Sequence, residues 1–277
     1  MPSDPPPSAA ANGAPGVQKL PPNGADGGTF RTLGGSPGGS EVLLMLLADA
    51  RLPTGAHTQS AGLEPAMRHG VSLAEVPSYM RTRLRTVVAV EAGAAVVARH
   101  LAAGSAGGPG TPPVREPAAV ARDLEGRLRD VDDAWRARTV SPALRENAEV
   151  LGRGYTRLVT GLWPDATACA ALRAVRRPTR AVAIGVAGAL AGLDGAQVAR
   201  LIGYDDAQTV AAAALKLDPL DPVVATGWVV GVAGDIERMA SAVASLTTAE
   251  QIPAIAAPLI EQWAQQHAVA RQRLFRA

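Results

Sequence analysis

From residue 40 onward the apolar positions recur every three or four residues, and valine and isoleucine nowhere settle into every-second-residue alternation. That periodicity predicts an all-α fold, a single-domain bundle of about eight to ten helices over residues 40–277. EVLLMLLADA, residues 41–50, reads as the first helix, with Ser40 placed to accept from its free amides and Pro53 closing it. Ser72 and Glu75 have capping-box spacing for a long helix running to about Leu101, slightly kinked at Pro77. Helices are then expected over 118–138 and from Ser141–Pro142 to near Gly161. After Pro164 they follow over 165–176, 179–191, 195–216 and 222–246. Thr247 and Glu250 have capping-box spacing for a last helix that reaches Phe275. Gly185, Gly188 and Gly192 leave a smooth stripe for packing against another helix, in this chain or across a homodimer.

Two stretches interrupt the pattern. Residues 1–39 are rich in Pro, Gly, Ser and Ala and cannot bury enough apolar surface to offset chain entropy, so they are expected to be a disordered tail. Residues 102–117, AAGSAGGPGTPPVREP, read as a flexible loop inside the helical domain.

Composition sharpens the helical reading. Hydrophobic residues make up 47 % of the chain but aromatics only 3 %, so the core is built from Ala, Val and Leu, whose small side chains suit close helix packing. The formal net charge is +2, with basic and acidic groups interleaved, and no polyanionic partner is required. Cys169 is the single cysteine, which excludes an intrachain disulfide and a multi-thiolate metal site. The N-terminus lacks a basic start and an apolar core of a secretory signal, and uncharged runs such as 181–193 fall short of the roughly 20 residues of a membrane span. A cytoplasmic protein is expected.

The search for chemistry returns mostly exclusions. GGSPGGS, residues 34–40, has no following Lys-Ser/Thr and follows no strand, so it is not a phosphate-binding loop. The histidines, His57, His69, His100 and His267, form no helical metal-binding pair, and neither a metal nor a cofactor is expected. The paired carboxylates Asp132/Asp133, Asp205/Asp206 and Asp218/Asp221 are read as helix caps and solvated faces. Two stretches stand out. LPTGAHTQSAGLE, residues 52–64, is a corner in which Gly55 permits a tight turn and Thr58 can cap the next helix. Its His57, Gln59, Ser60 and Glu64 are candidate contacts. HAVARQRLFRA, residues 267–277, sets Leu274 and Phe275 among Arg271, Arg273 and Arg276, the composition of a docking peptide, unless Phe275 folds back on its own core.

These two stretches, together with AAAALKLDPLDP, resemble the urease accessory protein F (UreF) family. The first matches that family's motif at Leu52, Pro53, Gly55, Ser60, Gly62, Leu63 and Glu64; the last matches its ending at His267, Arg273, Leu274, Phe275 and Arg276. The chain departs from the pattern at His57, where the family carries an aromatic, and at Asp221 and Pro222, where it often reads Gly-Gln. The resemblance implies a non-enzymatic, homodimeric scaffold for nickel insertion into apo-urease. It implies binding to a D/H-type accessory protein through a surface that includes His267, Arg271, Arg273, Leu274, Phe275 and Arg276, and recruitment of the GTPase UreG. Two other readings stand beside it: a hydrolase using Ser60, His57 and Glu64, and a helical nucleic-acid-binding regulator.

Overall fold

A computed structural model describes residues 37–105 and 116–275, and every regular element among the described residues is helical. The chain opens with α1 (Pro37–Leu47), α2 (Leu63–Arg68), α3 (Val76–Arg85) and α4 (Val87–Ser105). It continues with α5 (Pro117–Ala137), α6 (Pro142–Leu162), α7 (Thr167–Ala174) and α8 (Arg180–Leu190). The last third holds α9 (Gly195–Leu217), α10 (Pro222–Gly231), α11 (Ala233–Val243) and α12 (Pro258–Ala268). The all-α expectation holds. The expected residues 1–36 of the tail and 106–115 of the loop lie outside the described residues.

Helix α4 is the axis of the bundle, with α8, α9 and α5 packed around it, α6 beyond α8, and α11 against both α9 and α4. It buries long runs of Ala and Val, and α8 is buried from Arg180 through Gly188. The small-residue stripe of α8 is spent on this internal contact. A Cβ on Gly185 would meet the Ala98 side chain at 2.7 Å and the Arg99 backbone nitrogen at 2.9 Å, with the Ala95 carbonyl closer still. Gly188 faces Val198, while Gly192 lies off the stripe, taking φ +73° in the turn that ends α8. The stripe is therefore not a dimer face. Gly185→Ala should destabilise the protein by about 1–3 kcal/mol, because backbone atoms of α4 cannot yield as a side chain could. A lowered thermal midpoint with an unchanged oligomeric state checks this.

Several boundaries differ from those the sequence suggests. Helix α1 begins at Pro37, so Ser40 sits inside it, and it ends at Leu47, ahead of Pro53. The Ser72–Glu75 box is present, with the Ser72 amide 2.9 Å from Glu75 Oε2, but the predicted long helix breaks at Thr86, not Pro77. Thr86 adopts φ −126°, ψ −103° and its hydroxyl donates to the Thr82 carbonyl at 2.7 Å. The predicted 222–246 helix breaks at Val232 into α10 and α11. Thr248 with Gln251, rather than Thr247 with Glu250, forms the last capping box, and it opens only a 3-10 turn. Helix α12 stops at Ala268, and Phe275 returns to the core in irregular backbone.

By length and composition alone the run Leu73–Ser105 could cross a membrane, but 67 % of its apolar window is buried inside the protein, consistent with a core helix.

Candidate functional site

The corner between α1 and α2 is built by left-handed backbone. Gly55 at φ +88° starts a 3-10 turn over Ala56–Thr58, and the Thr58 hydroxyl closes it by donating to the Gly55 carbonyl at 2.8 Å. Thr58 thus serves its own turn and does not cap α2, whose N-cap is Gly62. Ala61 at φ +49° and Gly62 at φ +74° then reverse the chain into α2, and Tyr79 fixes the reversal by donating to the Ala61 carbonyl at 2.8 Å. A Cβ on Gly62 would lie 2.9 Å from the Tyr79 hydroxyl, so both the backbone conformation and the space favour glycine.

This reversal drives Leu63 and Glu64 inward. Glu64 is 2 % exposed, and a carboxylate so placed needs partners. It finds them in the C-terminal segment, 210 residues away: the Leu274 amide donates to it at 2.9 and 3.1 Å and the Phe275 amide at 2.9 Å. Arg68, one turn further along α2, donates at 2.7 Å and with its other arm reaches the Gln272 carbonyl at 2.6 Å. Helix α12 packs on α2, where His69 stacks on Trp263 with ring centres 6.0 Å apart, and so brings His267 to the same point. His267 Nε2 lies 3.2 Å from the Phe275 carbonyl and 3.4 Å from Glu64 Oε2. Both neighbours are acceptors, which assigns the proton to Nε2. Glu64, Arg68 and His267 therefore form a clasp on the last turn of the chain.

Phe275 is buried by the clasp at 5 % exposure, whereas Leu274 is 62 % exposed. Of the two placements the sequence left open for Phe275, the structure takes the inward one: its ring folds back on the core, beneath Lys216 Nζ at 5.2 Å from the ring centre. Lys216 also donates to the His57 carbonyl at 3.3 Å, tying the 3-10 turn to the tail. Arg271 and Arg273 stand exposed at the rim, and Arg276 lies outside the described residues. Arg68 and Lys216 were missed in the sequence, although Arg68 is four residues from Glu64 and Lys216 is one of only two lysines.

The hydrolase residues do not converge. His57 is exposed, Glu64 is committed to the tail, and the buried Ser60 hydroxyl has no hydrogen-bond partner, so no base activates it. Gln59 is buried and borders a half-open pocket of about 100 Å³. Arg83 and Arg180 line that pocket. Arg83 grips Asp206 through contacts of 2.6 to 3.2 Å, and Arg180 holds Glu91 at 2.7 and 3.0 Å and Asp205 at 2.5 Å. Asp205 and Asp206 are thus buried partners of core guanidiniums and not solvated or capping groups. Burial pushes the Asp205 carboxyl above its ordinary range, against the pull of Arg180. Asp132 is likewise buried, bonded to Arg136 and to the Thr179 amide at 2.9 Å. Asp221 does cap a helix, accepting from the Val223 amide at 2.8 Å. Among the described residues no group of three or more His, Cys, Asp or Glu could hold a metal ion.

Comparison with known proteins places the chain in a family. The UreF family model matches residues 72–233. The urease accessory protein UreF of Mycobacterium marinum is 33 % identical over 241 residues, covering 84 % of this chain and 97 % of the relative. That of Mycolicibacterium vanbaalenii is 33 % identical over 245 residues, with 85 % and 98 % covered. That of Mycobacterium tuberculosis is 32 % identical over 230 residues, with 82 % and 94 % covered. With the motif at 52–64 clasping the motif at 267–275, and with likeness running through nearly the whole length of these relatives, the chain belongs to the UreF family of urease accessory proteins.

Proposed function

We propose that this chain is a non-enzymatic, cytoplasmic scaffold that helps load nickel into apo-urease by binding a D/H-type accessory protein and recruiting the GTPase UreG. The observation that carries the reading is the clasp. It joins the two family motifs and ties the segment through Phe275 to α2, with Leu274, Arg271 and Arg273 turned outward, so a partner meets a preformed surface and the ordering cost of a loose segment is reduced. His267 and Phe275 act within that surface as supports beneath it, rather than as contacts. His57 remains a candidate contact because it is exposed, whereas Gln59, Ser60 and Glu64 are buried and structural.

The homodimer belongs to this proposal too, on a different face from the glycine stripe. Val42 and Met45 of α1 are 63 % and 67 % exposed, and Val223 and Val230 of α10 are 75 % and 70 % exposed, apolar surface that a second copy would cover. Interleaved acidic and basic groups along the chain speak against a nucleic-acid regulator. The decisive test is urease activation in cells lacking this protein. Urease activity and nickel content should both fall, and return on complementation; fully active, nickel-replete urease would reject the scaffold.

A further inference from the structure

Around α4 the carboxylates match or outnumber the guanidiniums they hold. Arg180 has both Glu91 and Asp205, Arg83 has Asp206, and Arg136 has Asp132 and shares Glu149 with Arg177. Between α3 and α11 the ratio is reversed. Asp235 of α11, 7 % exposed, faces three arginines. Arg238, one turn further along α11, donates to it at 2.6 Å, while Arg81 and Arg85, one turn apart on α3, come no nearer than 3.5 Å. The three side chains are 42, 69 and 69 % exposed for Arg81, Arg85 and Arg238, and neither Arg81 nor Arg85 makes a hydrogen bond among the described residues. Outside the described residues the only side-chain carboxylates are Asp4 and Asp26, set against Lys19, Arg31, Arg115 and Arg276, so no surplus of acid lies there to balance the cluster. Arg83, between the two in sequence, points inward to Asp206, so α3 divides its arginines between a buried ion pair and this outer cluster.

We propose that Arg81, Arg85 and Arg238 form a binding site for a phosphoryl dianion, free or at the end of a larger molecule, with the buried Asp235 positioning the guanidiniums. Three guanidiniums around one carboxylate leave two positive charges, and most of their N–H donors, unused at one point of the surface. A phosphoryl group brings about two negative charges and three acceptor oxygens, one for each guanidinium, in a geometry that paired N–H donors match. A lone carboxylate brings one charge and two oxygens, and a nucleic-acid strand brings one charge per phosphate along a backbone, so both match the cluster less well. The site is separate from the clasp and independent of the scaffold role.

The full chain is titrated calorimetrically with inorganic phosphate and, separately, with adenosine diphosphate, at constant ionic strength. Beside it stands the double variant Arg81→Gln/Arg85→Gln, which keeps the Arg238–Asp235 pair and removes no hydrogen bond, so its circular dichroism should equal that of the parent. The parent should bind phosphate saturably and the variant about tenfold more weakly, the effect of losing two exposed charge contacts. Arg81→Lys/Arg85→Lys should fall between them, since it keeps the charges and loses the paired donors. Tighter, arginine-dependent binding of the diphosphate would support the site and assign it to the terminal phosphoryl group of a nucleotide. Arginine-dependent binding of phosphate that the diphosphate does not exceed would support it and assign it to the free ion. Equal affinities of parent and glutamine variant, or no saturation by either ligand, would overturn the site, and acetate bound as tightly as phosphate would overturn the choice of a phosphoryl group.

Discussion

Arg180→Met should lower the unfolding free energy by about 3–5 kcal/mol, the largest effect expected of any single substitution outside the backbone, because it strands the buried Asp205 carboxylate together with the half-buried Glu91. Arg180 neutralises both Glu91 on α4 and Asp205 on α9 through contacts of 2.5 to 3.0 Å, and the three helices meet at its side chain. Methionine keeps much of the volume, so the loss is one of charge compensation more than of packing. The pH dependence supplies the check. Burial already holds the Asp205 carboxyl above its ordinary range, and Arg180 opposes that shift. Without Arg180 the folded-state pKa rises further above the unfolded value. A raised carboxyl destabilises the fold where it is ionised, and the penalty is full above its folded-state pKa and fades as pH falls through it toward the unfolded value. Urea denaturation should therefore show a smaller gap between variant and parent at about pH 5 than at neutral pH. A gap that is constant with pH would mean that packing, not charge, is what Arg180 contributes.

Glu64→Gln should unclasp the chain end while leaving most of the bundle intact. An ionised acceptor serving two amides and a guanidinium contributes about 2–3 kcal/mol, and the neutral amide supplies one acceptor oxygen where the carboxylate supplies two. Limited trypsinolysis reads the local effect. The bond after Arg273 adjoins the Leu274 amide that Glu64 holds, so cleavage there should accelerate markedly while cleavage within the helices is little changed. On the proposed scaffold reading, affinity for a D/H-type partner should fall in parallel, since the freed segment must be ordered on binding. Cleavage at Arg273 equal to that of the parent would show that Phe275 burial alone holds the segment.

The two substitutions probe features of different legibility. The helical class, most helix starts and the importance of residues 52–64 and 267–277 are written locally: in 3.6-residue periodicity, in Ser141–Pro142 and Ser72–Glu75, and in the clustering of Gly, Pro and Arg. Helix breaks without such marks were not. Thr86 and Val232 interrupt otherwise continuous apolar patterns, and the backbone leaves helical values at these two residues, neither of them glycine or proline. The carboxylates were misread for a related reason. Asp205 and Asp206 look like a polar face of α9, and only the arrival of Arg180 from α8 and Arg83 from α3 makes their burial affordable.

The clasp shows the division most clearly. Sequence by itself determined an all-helical chain, poor in aromatics and therefore closely packed, with two unusual motifs at its ends. It could not decide whether Phe275 faces solvent or core, because that depends on Glu64 being buried, on α12 reaching α2, and on Lys216 covering the ring. Each of those is a contact between residues far apart in the chain, with an energy that exists only once the helices have docked. Tertiary structure turned Phe275 inward and left Arg271, Arg273 and Leu274 exposed.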